Sequence, residues 1–182
     1  REKERAGLHH VMEAAAAFFE ASLTAPVGRQ AREYLANREL DEKILRQFRI
    51  GYAPGGRYAL KEHLSKLGID GEAMAKAGLV ITGSDVAVPF DRFRDRVIFP
   101  ITDLQNRVIA FGGRALRPEQ QPKYLNSPET ELFHKGRILF NMAAARRAAQ
   151  GAGREGGTII VAEGYMDVVA LTKAGFANSV AP

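Results

Sequence analysis

An acidic pair near the end of the sequence has the spacing of a catalytic or metal-binding site. Glu163 follows the apolar run Thr158–Ala162, which has the pattern of a buried parallel strand, and it precedes Gly164. A carboxylate at the carboxyl end of such a strand lies where open α/β sheets build their sites. Asp167 lies one helical turn further on, on the same side. The pattern predicts a divalent-metal or acid–base site; for Asp167 the alternative is structural, because the helix dipole favours a first-turn acid.

A second candidate site is a row of arginines in the segment 91–96. Arg92, Arg94 and Arg96 occupy alternate positions, so they fall on one face if the segment is extended. Three adjacent guanidiniums suit a phosphate backbone. The alternative, which the spacing slightly favours, is a solvated edge strand that its charges protect from further pairing.

A third candidate site lies between residues 111 and 137, where basic residues alternate with an aromatic ring and small polar side chains. Its members are Arg114, Lys123, Tyr124, Asn126 and Lys135. This mixture suits single-stranded nucleic acid, because cations bind phosphates and a ring stacks on a base. A surface loop with Tyr124 packed underneath is the alternative. Residues 91–137 hold nine Lys/Arg against six Asp/Glu in a chain of net charge +5, so a bound polyanion is expected here.

The elements that position these groups change type along the chain. Apolar residues at helical spacing predict helices in the first half: one ended by Pro26, then Gly28–Asn37, one capped by Asp41, Tyr58–Leu67 and Gly71–Ala77. The middle predicts two hairpins, Leu79–Thr82 with Asp85–Phe90 and Arg96–Asp103 with Arg107–Arg114, followed by a loop at Arg117–Pro122 and a helix at Asn141–Gln150. The end predicts a strand, a helix and a strand at Thr158–Ala162, Gly164–Ala174 and Asn178–Ala181.

The predicted fold class is α/β (α+β), with a helical start, mixed or antiparallel strands in the middle and the opening of a parallel sheet at the end. Four glycines within Gly151–Gly157 predict a linker, so residues 1–150 and 158–182 are expected to be separate domains. The second is expected to be truncated, because one strand–helix–strand unit is too small to be stable alone.

Composition excludes several classes of protein. The chain has no cysteine, which excludes disulfide scaffolds and cysteine-ligated zinc, and the spacing of its four histidines matches no zinc signature. No apolar run is long enough to span a membrane, and no signal-peptide core follows the charged start. A cytoplasmic protein without a membrane partner is expected.

Taken together, these segments resemble the DnaG-type bacterial DNA primases. The resemblance rests on residues 91–101 (DRFRDRVIFPI), 111–114 (FGGR), 122–130 (PKYLNSPET), 133–136 (FHKG) and 163–169 (EGYMDVV). These stretches follow the family's order from about residue 25 to the end of the chain. Tyr34, Leu35 and Arg38 also fit, whereas Glu39 stands where the family often has glycine.

The resemblance implies a fragment of the RNA polymerase core: its N-terminal subdomain and the start of its TOPRIM subdomain. The implied activity is primer synthesis at replication forks, a nucleotidyl transfer from NTPs on a single-stranded DNA template within the primosome. The implied DNA- or nucleotide-binding residues are Arg38, Arg92, Arg94, Arg96, Arg114, Lys123, Tyr124, Asn126 and Lys135. Glu163, with Asp167 as a second catalytic candidate, would bind Mg²⁺ or Mn²⁺ together with acidic residues farther on. Without those residues the fragment is expected to be inactive.

The resemblance also places functions in missing regions. Zinc would belong to a module before Arg1, and the replicative helicase and single-stranded DNA-binding protein would bind through other missing parts. The implied location is the bacterial nucleoid. Two alternatives stay open: another TOPRIM enzyme, such as a topoisomerase or nuclease, and a non-catalytic single-strand-binding module. Segments 91–137 favour primase over the first, and Glu163 is unexplained by the second.

Overall fold

The helical first half is organised around one long helix. A computed structural model describes residues 1–151 and 157–182. Helix α1 spans Glu2–Thr24, and its buried side chains include Leu8, Val11, Met12, Ala15 and Phe19, whose spacing of three and four residues defines one apolar face. A 3₁₀ turn at Pro26–Gly28 leads to α2 (Arg29–Ala36), α3 (Glu42–Gln47), α4 (Ala59–Lys66) and α5 (Gly71–Lys76). The predicted helices are confirmed, as is Asp41 as an N-cap, since its Oδ1 accepts a hydrogen bond from Ile44 N–H at 3.0 Å.

A four-stranded antiparallel sheet fills the middle of the chain. Its strands are β1 (Gly51–Ala53), β4 (Arg96–Thr102), β5 (Val108–Ala115) and β6 (Tyr124–Asn126), in the spatial order β1-β4-β5-β6. A separate two-stranded sheet pairs β2 (Val80–Ile81) with β3 (Phe90–Asp91). Both predicted pairings are confirmed. The two-residue turn at Gly83-Ser84, which the predicted strand ranges imply, is wrong: Ile81 pairs with Phe90, so residues 82–89 form a longer connection.

The end of the chain holds α6 (Met142–Gly151), β7 (Ile160–Val161), α7 (Tyr165–Lys173) and β8 (Ser179–Val180). The pair β7 and β8 is parallel, as predicted. The expected burial of the first strand is wrong, because Val161 is 66% exposed, and among the described residues β7 has only β8 as a neighbour. Most of the predicted linker, residues 152–156, lies outside the described residues.

Helices α1 and α7 cover opposite faces of the large sheet. The Phe111 ring meets Phe19 of α1 edge-on, with centroids 5.2 Å apart. The next residue, Gly112, lies against Tyr165 of α7, and successive strand residues face opposite sides of a sheet. The mixed α/β fold predicted from the sequence is therefore confirmed. No helix within residues 1–151 and 157–182 is long and apolar enough to cross a lipid bilayer.

The turn after α2 explains why glycine suits the position that Glu39 occupies in this chain. Leu40 N–H donates to the Leu35 carbonyl at 3.2 Å and Glu39 N–H donates to the Ala36 carbonyl at 2.9 Å, the paired bonds of a Schellman C-cap. This cap requires a left-handed residue, and Glu39 has φ 59°. Glycine fits that position without a steric penalty, whereas glutamate adopts it under strain. Arg38, the residue before it, lies in the turn that follows α2.

Replacing Glu39 with glycine should therefore stabilise the chain. We expect a gain of about 1 kcal/mol in the free energy of unfolding, because relief of the left-handed strain outweighs the added freedom of the unfolded chain. Urea denaturation should show a higher midpoint with an unchanged slope. Glu39→Ala is the control, since it removes the charge but keeps Cβ; an equal gain from alanine would assign the effect to charge and contradict the conformational explanation.

Candidate nucleic-acid interface

The predicted binding segment 123–126 forms an edge strand, which the sequence did not indicate. In the pairing of β5 with β6, Arg114 is opposite Tyr124. The Arg114 guanidinium carbon lies 5.2 Å from the Tyr124 ring centroid, and Lys123 Nζ lies 5.9 Å from it. Tyr124 is 40% exposed, so the alternative of a ring packed under a loop is wrong. An accessible ring with two adjacent cations is the arrangement that binds a nucleotide base and its phosphates.

A cleft of about 350 Å³ separates α2 from the connection between β5 and β6. Its lining includes Tyr34, Arg38, Arg114, Arg117, Gln120 and Lys123. The Arg38 guanidinium carbon lies 3.7 Å from the Tyr34 ring centroid, and that of Arg114 lies 5.7 Å from it. Three predicted basic residues from different parts of the sequence thus meet in one cleft. Arg117 is a fourth basic residue of the lining, which was not predicted, and it forms an ion pair with Asp95 Oδ2 at 2.7 Å.

The arginines of segment 91–96 do not form the predicted row. The chain bends there, with φ 53° at Asp95, so alternate side chains do not share a face. Arg96 is 3% exposed and donates to the Gly113 carbonyl at 3.3 Å, so its assignment to a phosphate-binding face is wrong. Arg92 donates from Nε and Nη2 to the Asn126 carbonyl at 3.1 and 2.7 Å. Burial lowers the pKa of both arginines, and both brace the sheet beside β6.

A second basic and aromatic surface adjoins the cleft. The Phe90 ring has the guanidinium carbon of Arg57 at 4.3 Å from its centroid and that of Arg94 at 5.1 Å. Gln120 Nε2 donates to the Arg94 carbonyl at 3.0 Å, which joins this surface to the cleft wall. Arg94 thus lies next to a second cation, Arg57, and its role in binding DNA stays a prediction. Neither Arg57 nor Phe90 was predicted from the sequence, and no local signal indicates them, because their contact arises only when the chain between β1 and β3 folds.

Tyr165 fixes the start of α7 over β6. It is 6% exposed, and its hydroxyl donates to Asn126 Oδ1 at 2.7 Å. Burial raises the pKa of Tyr165 to about 12. A Cβ at Gly112 would lie 2.4 Å from the Tyr165 ring, so the ring can approach the sheet only over glycine. The side-chain oxygen of Asn126 therefore already accepts a hydrogen bond within the fold.

Glu163 is exposed at the end of β7, two residues before the anchored Tyr165. Asp167 Oδ2 accepts a hydrogen bond from Gly164 N–H at 3.2 Å, a contact that caps α7 and agrees with the structural alternative. The described ranges contain no group of three or more His, Cys, Asp or Glu that could hold a metal ion. These two carboxylates therefore do not by themselves form a magnesium site, which requires several converging oxygens.

Lys135 is another predicted binding residue that does not line the cleft. It is exposed in the loop after β6, and its backbone N–H donates to Glu129 Oε1 at 2.7 Å. The adjacent His134 borders a different depression, together with Arg1 and Arg5 at the start of α1. Lys123 lines the cleft and Lys135 does not, so the structure does not bring these two predicted residues together there.

Comparison with known proteins identifies the family. The model of the DNA primase catalytic core, N-terminal domain, matches residues 18–146. The DNA primase of Pseudomonas aeruginosa is 45% identical over 175 residues, an alignment that covers 96% of this chain and 26% of that protein. The chain thus spans about a quarter of the length of the curated relative.

Solved structures give the same result. The structure of a DnaG primase catalytic domain bound to ssDNA superposes with a TM-score of 0.87 and 40% identity, covering 100% of this chain and 55% of that one. The RNA polymerase domain of Mycobacterium tuberculosis primase DnaG, in complex with a double-stranded DNA oligomer with a 6-nucleotide overhang, has a TM-score of 0.87 at 36% identity, covering 97% and 54%. The chain therefore belongs to the DNA primase catalytic-core family, whose N-terminal domain it contains.

Proposed function

We propose that this chain is the template- and nucleotide-binding part of a DNA primase core that synthesises RNA primers from NTPs on single-stranded DNA. The observation that carries the proposal is the meeting of Arg38, Arg114 and Lys123 around one cleft beside the exposed ring of Tyr124. Basic side chains that are exposed to solvent can bind phosphates, and an exposed aromatic ring can stack on a base. A relative whose structure was solved with ssDNA supports the choice of a single-stranded template.

The two predicted domains are proposed as the N-terminal subdomain, residues 1–150, and the opening of a TOPRIM subdomain, residues 158–182. The parallel pair β7 and β8 with α7 between them supports the second assignment. The contact between Tyr165 and Asn126 would hold Glu163 beside the basic cleft. Bound Mg²⁺ would supply charge neutralisation for nucleotidyl transfer, with Glu163 as one of several ligands and the remainder outside this chain.

Primer synthesis by a version extended through the complete core tests the proposal. With NTPs and a single-stranded template, the extended protein should make short RNA, while the 182-residue chain should bind the template but make none. DNA binding without RNA synthesis by the extended protein would favour a non-catalytic binding module. Cleavage or relaxation of DNA in place of synthesis would favour another TOPRIM enzyme. Contacts with helicase, single-stranded DNA-binding protein and a zinc module are proposed for regions outside this chain.

Removal of the Tyr124 ring should weaken DNA binding while the fold persists. Stacking of one base on an aromatic side chain contributes about 1–3 kcal/mol, so Tyr124→Ala should lower oligonucleotide affinity about 5- to 150-fold. Tyr124→Phe is the matched control and should bind normally. Fluorescence anisotropy gives the affinities, and urea denaturation checks the fold. Because Tyr124 is 40% exposed on an edge strand, a large loss of stability in Tyr124→Ala would contradict a binding role and assign the ring to packing.

A further inference from the structure

The ring of Tyr34 lies next to two arginines of the cleft. The Arg38 guanidinium carbon lies 3.7 Å from the ring centroid, well within the range of a cation–π contact, and that of Arg114 lies 5.7 Å from it. Arg114 also lies 5.2 Å from the ring of Tyr124. Two like charges, one from the turn after α2 and one from β5, thus converge on one aromatic side chain, although their mutual repulsion would separate them in the absence of a compensating contact.

The partners of these two arginines differ from those of other arginines. Arg117 pairs with Asp95, and Arg107 pairs with Asp103 at 2.9 Å. Within the described ranges, neither Arg38 nor Arg114 forms an ion pair with a carboxylate; Arg114 Nη1 donates to the Ala115 carbonyl at 2.8 Å. No carboxylate of the described residues therefore neutralises their charges.

An aromatic ring and a carboxylate hold an arginine with different consequences. A carboxylate would fix the guanidinium but cancel its charge and repel an incoming phosphate. A ring attracts the cation through its quadrupole and leaves the full charge available to a ligand. Tyr34 lies on α2 and is itself partly buried against the hydrophobic core, so the core fixes its position.

We infer that Tyr34 is a positioning residue whose ring holds Arg38 and Arg114 together, still charged, for the phosphates of the bound nucleic acid. This inference rests on the proposed function, because it requires the cleft to bind phosphate. The ring carries the role and the hydroxyl does not: in the part of the chain that the structure describes, Tyr34 Oη is buried without a hydrogen-bond partner. Tyr34→Phe is consequently a conservative variant that keeps the positioning surface.

Binding of fluorescent oligo(dT) to the full chain, measured by anisotropy at low salt, tests the inference. Tyr34→Leu should weaken binding about 5- to 30-fold, the effect of two cation–π contacts, whereas Tyr34→Phe should stay within about twofold of the unchanged protein. The decisive measurement is a mutant cycle. In a background that carries Arg38→Ala and Arg114→Ala, Tyr34→Leu should cause no further loss, because the residues that it positions are gone.

The outcomes separate this inference from the proposed function. If Arg38→Ala with Arg114→Ala leaves oligo(dT) affinity unchanged, the cleft is not the nucleic-acid site and the proposed function is wrong. If that pair weakens binding but Tyr34→Leu costs the same in both backgrounds, Tyr34 is merely structural; the inference is then overturned while the proposed function stands. A loss in Tyr34→Phe as large as that in Tyr34→Leu would also overturn it, by assigning the effect to the hydroxyl.

Discussion

Glu163→Gln, introduced into a protein with the complete catalytic core, should lower primer synthesis by at least about a hundredfold. Loss of one charged ligand from a site that stabilises transition-state charge removes several kcal/mol, and each 1.36 kcal/mol is about tenfold in rate. The amide keeps the shape of the side chain but lacks the negative charge that a hard cation prefers. Primer synthesis on a single-stranded template, measured at saturating NTP, gives the rate.

The same variant should bind single-stranded DNA normally. The cations of the cleft are contributed by the turn after α2, by β5 and by the residue before β6, whereas Glu163 follows β7 and is exposed. For that reason its replacement should also leave the unfolding midpoint unchanged. Near-normal primer synthesis by Glu163→Gln would show that Glu163 is not catalytic and is a structural acid at the start of a helix.

Asp167→Asn is the matched comparison. Its Oδ2 accepts a hydrogen bond from Gly164 N–H, and an asparagine oxygen can still accept that bond. We therefore expect a smaller loss of activity than in Glu163→Gln, through a less well oriented strand–helix junction. An equal loss in both variants would instead make Asp167 a ligand of the same rank as Glu163.

The elements that local physics dictates were predictable from the sequence. The three- and four-residue spacing of Leu8, Val11 and Met12 defines the buried face of α1, and Asp41 caps α3 through its own side chain. Strand β6 was missed because three residues carry no periodicity, and only pairing with β5 makes them a strand. Val161 has the composition of a buried strand, yet its exposure depends on what packs over it rather than on its own type.

The candidate site was predictable in its residue types but not in its arrangement. The motif that contains Arg92 and Arg96 suggested a phosphate-binding face, but tertiary packing turns both guanidiniums inward to backbone carbonyls. Conversely, Arg38 and Arg114 are far apart in sequence and meet only because α2 packs near the end of β5. Side chains at alternate positions share one face only while the backbone is extended. The left-handed conformation of Asp95 interrupts the extended backbone of this segment.

Binding of single-stranded DNA to the chain should weaken steeply with salt. If Arg38, Arg114 and Lys123 each neutralise one phosphate, counterion release gives a slope of about −0.7 per contact, or about −2 in total. Affinity should then fall about twentyfold between 50 and 200 mM salt. Each single alanine replacement should reduce the slope by about 0.7 and lower affinity similarly for different DNA sequences. Anisotropy titrations across this salt range measure both quantities.

Two other arginines provide the controls that locate this effect. Arg107→Ala removes a surface charge that is already paired with Asp103 at the turn between β4 and β5, so DNA affinity and slope should stay unchanged. Arg96→Ala removes a buried guanidinium that donates to backbone carbonyls, so it should lower the free energy of unfolding by about 1–3 kcal/mol instead of changing the slope. If Arg107→Ala changed the slope as much as Lys123→Ala, binding would follow net charge alone. A flat salt dependence in the unchanged chain would reject phosphate binding by the cleft altogether.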